Sequence, residues 1–567
     1  MAKRRKREYL LLAGSVFFLA VVAKKRVWAE VKNPAADSCA VQMDICEKDS
    51  ILGTRRTASD GWEGTLYLRG EKLPYVKDEE AYLLPVTLDM KEHGIAPEDF
   101  SGGKGQKVIF WEFPNADTDN KETSGWERTL EDACAGGNGY ALTILDEQEW
   151  KDVRLIFTGM PLLELESLGE TDEDFEKIHV RLFEGTQGEG GLIVTDGKIR
   201  VRGALSKEFP KTGYRLRLTG QDDFGNEIDR SEPLLGMRSS DAWNLAALYA
   251  DDLKIRDKIS SDLWRELMED RNSYGFEAAF GTRMEYAELI RDGEYLGIYG
   301  LMEPIDAQQL GIADSAGAAG RSEYYYKKQN DVIAPEEAFV FPAKDQVLPH
   351  TETEDETENS VNYVASLEIK EASGKLTRDA WEPIRQYMCM MRGSAFEEMA
   401  PALLDERNAA DMWIFLQTIA GVDNSIKNMY YAAKLVDGGW KLYFIPWDMD
   451  MSWGNEYCEE AHTFQSYYTF SPGKILDWNP VTPMLEQDLC EMRGIIKERW
   501  LELREGILSE DHLSETMEEA FSYLKASGAY ERDAKRWEES PHSDSLDEIL
   551  SFTGQRLISL DEYINEL

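Results

Sequence analysis

The sequence predicts an α+β protein in which a β-rich region with one main helix precedes a helical region with one embedded hairpin. Asp-Gly pairs flanked by alternating apolar and polar residues predict hairpins at 191–203 and 283–303. Apolar residues at helical spacing over 250–270 predict the helix between them. From residue 379 the periodicity is mostly helical, apart from two tightly joined strands over 427–450. A small β-rich module precedes all of these elements.

Composition indicates a folded chain of several domains. The 567 residues exceed one typical domain, and 42% hydrophobic residues with 15 Trp, 25 Tyr and 21 Phe supply substantial cores. The formal net charge of −44 would repel phosphate backbones, so we expect no nucleic-acid partner. The six histidines lack the HExxH spacing and the six cysteines lack CxxC, which disfavours a zinc site. Cys39 and Cys46 could bridge each other.

Residues 1–30 have the pattern of a signal peptide or a single N-terminal membrane anchor. The basic run KRRKR at 3–7 precedes the uncharged run YLLLAGSVFFLAVVA at 9–23, an arrangement in which the basic end stays in the cytoplasm. This apolar run is shorter than the roughly 20 residues that span a bilayer, although flanking Lys and Arg side chains extend the span. We therefore expect export, cleaved or anchored, and an extracellular or cell-surface location.

The rest of the chain divides into a β-rich accessory domain at 31–160 and a larger domain at 161–567. In the accessory domain, WEGTLYLRG (62–70), AYLLPVTLDM (81–90) and KVIFWEF (107–113) have the pattern of short strands, and no catalytic constellation is evident.

The larger domain divides again near residue 305. Over 161–305 the stretch KTGYRLRLTG (211–220) adds a strand to the two hairpins. The predicted helix turns one face inward, formed by Leu253, Ile259, Leu263 and Leu267.

Over 306–567 the pattern is mostly helical. The stretches 379–391 and 406–422 predict helices, while a Gly/Ala-rich loop at 311–320 and the acidic segment TETEDETENS at 351–360 interrupt the fold. We expect the acidic segment to be a surface insertion. A β-rich lobe with one helix, followed by a helical lobe with one embedded hairpin, is the layout of a bilobal protein-kinase-like fold.

Acidic side chains after the embedded hairpin form the strongest candidate site. In IPWDMDMSWG (445–454), Asp448 and Asp450 follow a strand that is predicted to be buried, and upstream GVDNSIKNMYY carries Asp423 and Asn428. Kinases have this order: a catalytic-loop Asp that orients the attacking hydroxyl, an Asn, and then a metal-binding Asp. Mg²⁺ takes oxygen ligands, commonly one or two carboxylates plus nucleotide phosphates. The alternatives are a polar loop that ends a helix and a simple turn.

The third candidate segment is VRGALSKEFPKTGYRLRL at 201–218. A loop with glycine between two strands brings backbone N–H groups near phosphates, and Lys211 or Arg215 could reach them from the following strand. The alternative is an ordinary basic hairpin.

Five blocks together resemble the CotH kinase family, the spore coat protein H-like proteins. They occur in the family's order and cover roughly residues 200–455. The blocks are RGALSKEFPKTGYRLRL (202–218), LLGMRSSDAWNLAALYADDLKIRDKIS (234–260), YLGIYGLMEPID (295–306), VDNSIKNMYY (422–431) and FIPWDMDMSWG (444–454).

The resemblance implies an atypical, secreted or surface kinase that uses ATP and Mg²⁺ or Mn²⁺ to modify a surface or coat protein. By position it implies Asp423 as the catalytic residue, and Asp448, Asn428 and Asp450 as metal ligands. The residues implied to bind the nucleotide are Lys211, Arg202, Ser206, Arg215, Arg256 and Glu303.

Departures from ordinary kinases leave the transferred group open. The chain has no GxGxxG, VAIK or HRD motif, so the mapping passes through the CotH family alone. Phosphorylation of Ser, Thr or Tyr is the leading hypothesis. A kinase-fold enzyme that transfers AMP or attaches glutamate is the second, because fold does not fix the reaction. A non-catalytic surface or coat assembly protein is the third, and a polysaccharide-active enzyme is the least favoured.

Overall fold

The computed structural model describes residues 39–58, 64–85, 95–112, 130–137, 139–172, 174–184, 191–203, 205–312, 322–328, 363–364, 367–370, 378–391, 395–455 and 470–567. The predicted signal or anchor at 1–30 and the acidic segment at 351–360 lie outside these ranges. Within them, no helix combines the length and the apolar character that crossing a membrane requires.

The chain divides into two compact units. The first comprises Met1–Gly159, Gly185–Gly191 and Gly293–Tyr295, and the second comprises Met160–Glu184, Leu192–Asp292 and Leu296–Leu567. Compactness alone does not show that either unit folds independently. The accessory and larger domains expected from the sequence therefore stay predictions.

The first unit is β-rich. Its strands are β1 Val41–Gln42, β2 Arg56–Thr57, β3 Leu66–Leu68, β4 Glu71–Lys72, β5 Tyr75–Val76, β6 Ala81–Pro85, β7 Phe100–Gly102, β8 Lys107–Phe110, β9 Tyr140–Leu145 and β10 Glu149–Thr158, and its helices are α1 Lys48–Leu52 and α2 Leu130–Gly136. One sheet has the order β1-β8-β9-β10-β6-β5, with β2 also on β10, and another has the order β4-β3-β7. Each of the three stretches predicted as strands contains one, namely β3, β6 and β8.

The disulfide considered between Cys39 and Cys46 is absent, since both are free thiols. Cys39 forms an isolated β-bridge with Ser101, whereas Cys46 lies in the short 3₁₀ helix Ile45–Glu47. The two residues are thus held on different local structures.

The second unit contains β-sheet and helices, as the sequence predicts. Its strands are β11 Leu162–Asp172, β12 Phe175–Phe183, β13 Leu192–Arg202, β14 Gly213–Gln221, β15 Glu227–Asp229, β16 Glu232–Pro233, β17 Ser239–Ser240, β18 Ala242–Ala246, β19 Met284–Arg291, β20 Glu294–Met302, β21 Tyr324–Lys328, β22 Tyr363–Val364, β23 Leu367–Ile369, β24 Met429–Val436 and β25 Gly439–Pro446. Its helices are α3 Arg256–Asp270, α4 Glu382–Met391, α5 Phe396–Leu403, α6 Glu406–Ile419, α7 Val422–Ile426, α8 Val481–Gln487, α9 Met492–Arg504, α10 Glu510–Ala526, α11 Ala529–Arg536 and α12 Asp547–Glu566.

The first sheet of this unit closes on itself. Its order is β13-β12-β11-β19-β20-β18-β14-β15, and an additional pairing joins β13 to β14. Apolar side chains such as Leu165, Leu216 and Trp243 fill one buried cluster along these strands. Because Arg202 ends β13 and Gly213 begins β14 opposite it, the two strands present the intervening loop at one end of the sheet.

The prediction of a hairpin with its turn at Asp196-Gly197 is wrong. The strand β13 runs straight through both residues, between β12 and β14. A Cβ at Gly197 would lie 2.7 Å from the backbone oxygen of Arg217 and 3.2 Å from Val180 Cγ2. Glycine therefore serves close approach of neighbouring strands here and does not form a turn.

The other two Asp-Gly turns are confirmed. Asp292 and Gly293 join β19 to β20 with φ of 53° and 79°, and Asp437 and Gly438 join β24 to β25 with φ of 50° and 82°. Positive φ at both central residues gives the turn whose twist matches the flanking strands. The embedded hairpin extends a larger sheet, since β24 also pairs with β21 in the order β22-β23-β21-β24-β25.

The helices have the buried faces that their sequences predict. The helix predicted over 250–270 begins only at Arg256, so Leu253 is buried but lies before α3. Ile259, Leu263 and Leu267 are buried residues of α3, as predicted. In α6, the Asp405 carboxylate accepts the N–H groups of Arg407 and Asn408, which caps the first turn. This cap and the apolar face together direct α6 into the largest core cluster.

A carboxylate inside that core joins several helices. Asp411 on α6 is fully buried and accepts Arg271 Nε at 2.8 Å and Arg499 Nε at 2.9 Å. The Tyr274 hydroxyl donates to the same carboxylate at 3.0 Å. Because the paired charges satisfy each other, they tie α6 to α9 and to the residues that follow α3.

A second buried ion pair links the closed sheet to the C-terminal helices. The Lys211 ammonium donates to Asp533 Oδ1 on α11 at 2.5 Å and to the Ile298 carbonyl at 2.7 Å. The Ile298 N–H donates to the same Asp533 oxygen at 2.8 Å. Gly297 has φ of +88°, and a Cβ there would collide with Asp533 Oδ1. The cationic partners hold the pKa of Asp533 below its usual value despite burial.

The Lys211–Asp533 pair makes a specific stability prediction. Replacing Asp533 by Ala leaves the Lys211 ammonium buried without its carboxylate, so we expect a loss of about 3–5 kcal/mol. The midpoint of urea unfolding, followed by circular dichroism, measures this loss. Lys211→Met combined with Asp533→Leu should recover most of it, because a hydrophobic pair removes the buried charge.

The matched control is the surface ion pair of Arg265 with Glu269, 3.5 Å apart on α3. Glu269→Ala should cost less than about 1 kcal/mol, since exposed pairs contribute little. A Glu269→Ala loss as large as that of Asp533→Ala would contradict the structural role of the buried pair.

Candidate functional site

The segment after β25 is a strained turn held by buried aromatic side chains. Asp448 and Trp453 adopt left-handed φ angles of 60° and 52°, and Trp453 is an unusual residue for that region. Trp447 and Trp453 are only 2% and 1% exposed. The Trp453 N–H donates to the carbonyl of Ile419 at the end of α6 at 2.5 Å. The surrounding contacts therefore determine a backbone shape that is unfavourable on its own.

Asn424 joins this turn to the loop that carries the other predicted site residues. Its side chain is 1% exposed and lies on the short helix α7. Its Nδ2 donates to the carbonyl of Asn428 at 3.0 Å and to the carbonyl of Trp447 at 2.8 Å. The Trp447 N–H in turn donates to the Asn428 carbonyl at 3.1 Å. The loop and the turn thus form one hydrogen-bonded unit.

Asp423 lies in the first turn of α7, beside the buried Asn424. Its Oδ2 is 3.1 Å from Lys427 Nζ, one helical turn away. Partial burial and the nearby Asp448 carboxylate raise the pKa of Asp423 above its usual value, although Lys427 opposes that rise. A carboxylate with a raised pKa accepts a proton more readily near neutral pH.

The structure brings Asn428, Asp448 and Asp450 to the same place. Asn428 Nδ2 lies 3.5 Å from the Asp448 carbonyl, and Asn428 has a left-handed φ of 53°. The Asp448 side chain is exposed, whereas Asp450 is half-buried. Burial raises the pKa of Asp450 well above its ordinary value, and the carboxylates of Asp448, Asp257 and Asp423 raise it further.

Asp257 is an additional acidic residue of the site that sequence reasoning missed. It is 3% exposed at the start of α3, and its Oδ1 accepts the N–H of Met449 at 3.1 Å. Burial, together with Asp448, raises the pKa of Asp257 to about 7. In sequence it is indistinguishable from any acidic residue in a first helical turn, where the helix dipole favours it.

Arg202 brings a positive charge to this acidic group. Its guanidinium lies 5.4 Å from the ring centre of Trp447, and its charge opposes the rise in the Asp257 pKa. The Nε of Arg202 is buried and has no hydrogen-bond partner. Arg202 is therefore a predicted nucleotide-binding residue whose contacts place it beside the Asp448 turn.

Three other residues predicted to bind the nucleotide have contacts elsewhere in the fold. The buried Arg256 guanidinium pairs with Asp251 and Asp252, and Lys211 pairs with Asp533. Glu303 is 6% exposed, and its Oε1 accepts the Arg238 N–H at 2.9 Å. These contacts stabilise the fold.

The two remaining predicted residues lie on β14 and in the loop that precedes it. Arg215 lies on β14 directly opposite Arg200 of β13 and Asn244 of β18. Ser206 lies in the 3₁₀ helix Leu205–Glu208, and its side chain is outside the described part of the structure.

The donor set fits a divalent cation of the Mg²⁺ or Mn²⁺ type. Within the described ranges, no three His, Cys, Asp or Glu side chains form a ready-made metal cluster. Mg²⁺ does not need such a cluster, because it commonly binds one or two carboxylates and takes its other ligands from water and phosphates. Asp448 and Asp450 would supply the carboxylates to such a cation, and Asn428 an amide. Their repulsion is the kind of cost that a bound cation relieves.

Comparison with known proteins identifies one family. The model of one protein family, described as CotH kinase protein, matches residues 199–560, which is more than half of the chain. A search of curated proteins found no match.

The electrostatics of Asp450 predict a pH-dependent stability in the absence of divalent cations. Because its pKa in the fold lies above the ordinary 3.8, its ionisation costs stability once the pH rises past that value. Asp450→Asn removes the cost, so we expect its melting temperature to exceed that of the wild type by about 2 °C or more near neutral pH. The difference should vanish near the ordinary pKa of 3.8.

The melting temperatures of both proteins are measured in the presence of a chelator, from the ordinary pKa of Asp450 up to neutral pH. Asp262→Asn is the control, because Asp262 lies on the same helix α3 but is paired with Lys258 at 2.6 Å. An Asp450→Asn protein that melts at or below the wild-type temperature near neutral pH would show that the fold tolerates this charge without cost.

Proposed function

The chain belongs to the CotH kinase family, and we propose that it is an ATP- and divalent-metal-dependent enzyme that phosphorylates Ser, Thr or Tyr of a surface or coat protein. One observation carries the proposal. Asn424 donates to the carbonyls of both Asn428 and Trp447, which joins the Asp423 loop to the Asp448 turn. Phosphoryl transfer requires that the Asp that orients the attacking hydroxyl and the Asp that binds the metal be held close together.

The proposed architecture is bilobal. The closed sheet with α3 forms the first lobe, and the five-stranded sheet with the remaining helices forms the second. In this arrangement the loop between β13 and β14 and the Arg202 side chain face the nucleotide. We propose Arg202 as the phosphate-contacting cation, because Lys211 is buried against Asp533. Arg215, Arg256, Ser206 and Glu303 remain weaker candidates for direct contact.

Asp423 is the proposed catalytic residue. Its carboxylate accepts the proton of the substrate hydroxyl as the hydroxyl oxygen bonds to the γ-phosphorus. The bond from that phosphorus to the β,γ-bridging oxygen breaks, and ADP leaves with its electron pair. Lys427 limits the movement of Asp423, and the raised pKa of Asp423 assists acceptance of the proton.

Asp448, Asn428 and Asp450 are the proposed ligands of the cation. Bound there, Mg²⁺ or Mn²⁺ would offset the negative charge of the phosphates. The buried Trp447 and Trp453 exclude water from one side of the turn, which strengthens the electrostatic interactions there. We also propose that the protein is exported, because residues 1–30 are predicted to be a signal peptide or a membrane anchor.

The proposed roles predict the behaviour of two isosteric variants. Asp423→Asn and Asp448→Asn should each lower transfer by about a hundredfold or more, because each removes a group that acts in the transition state. The measurement is mass spectrometry of the protein itself and of casein after incubation with ATP and Mn²⁺ or Mg²⁺. The mass added also distinguishes phosphate from AMP and, when glutamate is present, from glutamate.

Asp437→Asn is the matched control. Asp437 is an exposed residue at the tip of the β24–β25 hairpin, with φ of 50° that Asn tolerates. It should retain full activity, and all three variants should keep the wild-type circular dichroism spectrum. Full activity in both Asp423→Asn and Asp448→Asn would refute the assignment. A wild-type protein that binds no ATP with either cation would favour an assembly role.

A further inference from the structure

Helix α3 makes several contacts with the turn that carries Asp448 and Asp450. Asp257 Oδ1 accepts the Met449 N–H at 3.1 Å, and Ser260 Oγ accepts the Trp453 Nε1–H at 2.9 Å. Ser260 Oγ is also 3.5 Å from Ser452 Oγ. Asp257 and Ser260 are three positions apart, so they share one helix face. This face of α3 therefore holds the turn in place through hydrogen bonds.

The amide that Asp257 binds lies between the two proposed cation ligands. The planar peptide groups on either side of Met449 leave only a few rotations between the Asp448 and Asp450 side chains. Holding the Met449 N–H therefore restricts both neighbours at once. On its other side the turn is held locally, since Asn455 Nδ2 donates to the Asp450 carbonyl at 3.0 Å.

Asp257 does not cap its own helix. The first N–H of the helix, that of Arg256, donates instead to Asp251 Oδ2 at 2.7 Å, and Asp251 Oδ1 accepts the Leu253 N–H at 3.1 Å. Asp251 also pairs with the Arg256 guanidinium. A carboxylate as buried as Asp257 normally has a partner that compensates for its desolvation. Among the described residues, its hydrogen-bonding partner is the Met449 amide.

We propose that Asp257 is a positioning residue of the cation site. By accepting the Met449 N–H, it fixes the turn in the shape that presents Asp448 and Asp450 to one cation. The position of α3 thereby determines the geometry of the site. This inference rests on the proposed cation-dependent transfer, and it gives Asp257 on α3 a role that none of the site residues predicted from the sequence has.

Two variants separate the hydrogen bond from the charge. Asp257→Asn keeps an acceptor oxygen for the Met449 N–H and removes the charge, whereas Asp257→Leu keeps the shape and removes the acceptor. If Asp257→Leu does not fold, Asp257→Ala takes its place. Asp262→Asn is the control on the same helix, because Asp262 pairs with Lys258. Melting temperatures and circular dichroism verify that each variant is folded.

The first measurement is hydrogen exchange of the Met449 amide by mass spectrometry without cation. The second is the affinity for Mn²⁺ alone, from electron paramagnetic resonance of free Mn²⁺, counting only the binding that Asp448→Asn removes. We expect Asp257→Leu to accelerate exchange and to weaken Mn²⁺ binding, each by about tenfold, the usual effect of one hydrogen bond to a charged group. Asp257→Asn should shift each value by less than about threefold.

Unchanged exchange or unchanged Mn²⁺ affinity in Asp257→Leu overturns the proposal. Equal effects of Asp257→Asn and Asp257→Leu also overturn it, because they would assign the role to the charge. Neither measurement requires group transfer. A protein that shows the expected shifts but transfers no group would therefore contradict the proposed function and support the positioning role. A wild type without specific Mn²⁺ binding would refute both.

Discussion

Mutual repulsion among the carboxylates around the Asp448 turn is the constraint on which the site depends. Burial and the Asp448 carboxylate together raise the pKa values of Asp257, Asp423 and Asp450. Such a group stays together only if the backbone beneath it is held from several directions. Asn424 holds it from α7, the Ile419 carbonyl from the end of α6, and Asp257 with Ser260 from α3.

The same reasoning explains why tryptophans occur beside the acidic residues. Trp447 and Trp453 are almost fully buried, so they fix the two ends of the turn by packing. Trp453 accepts a left-handed φ that is costly for its residue type, and its backbone and indole hydrogen bonds compensate for that cost. Packing, strain and repulsion are thus parts of one arrangement. Under the proposed function, a cation that relieves the repulsion would leave a site that needs little rearrangement.

Charge alone did not reveal which basic residues belong to this arrangement. Lys211 and Arg202 occur in the same sequence block, yet Lys211 forms a buried pair with Asp533 while Arg202 lies over Trp447. The partner of Lys211 is more than three hundred positions away in the chain. A motif gives the residue type and its place on a strand, but the partner depends on which distant helix packs against that strand.

The sequence by itself determined the local elements and the order of the acidic residues. Periodicity located α3, α6 and the β24–β25 hairpin, and the spacing of Asp423, Asn428 and Asp448 identified the loop and the turn. Tertiary structure decided the rest. Asp-Gly pairs form turns at Asp292 and Asp437. At Asp196 no turn forms, because β13 continues through this residue with β12 and β14 paired on its two sides. Tertiary structure also decided the contacts of Asn424, Asp257 and Lys211, since each is a hydrogen bond or ion pair to a distant segment that local patterns do not encode.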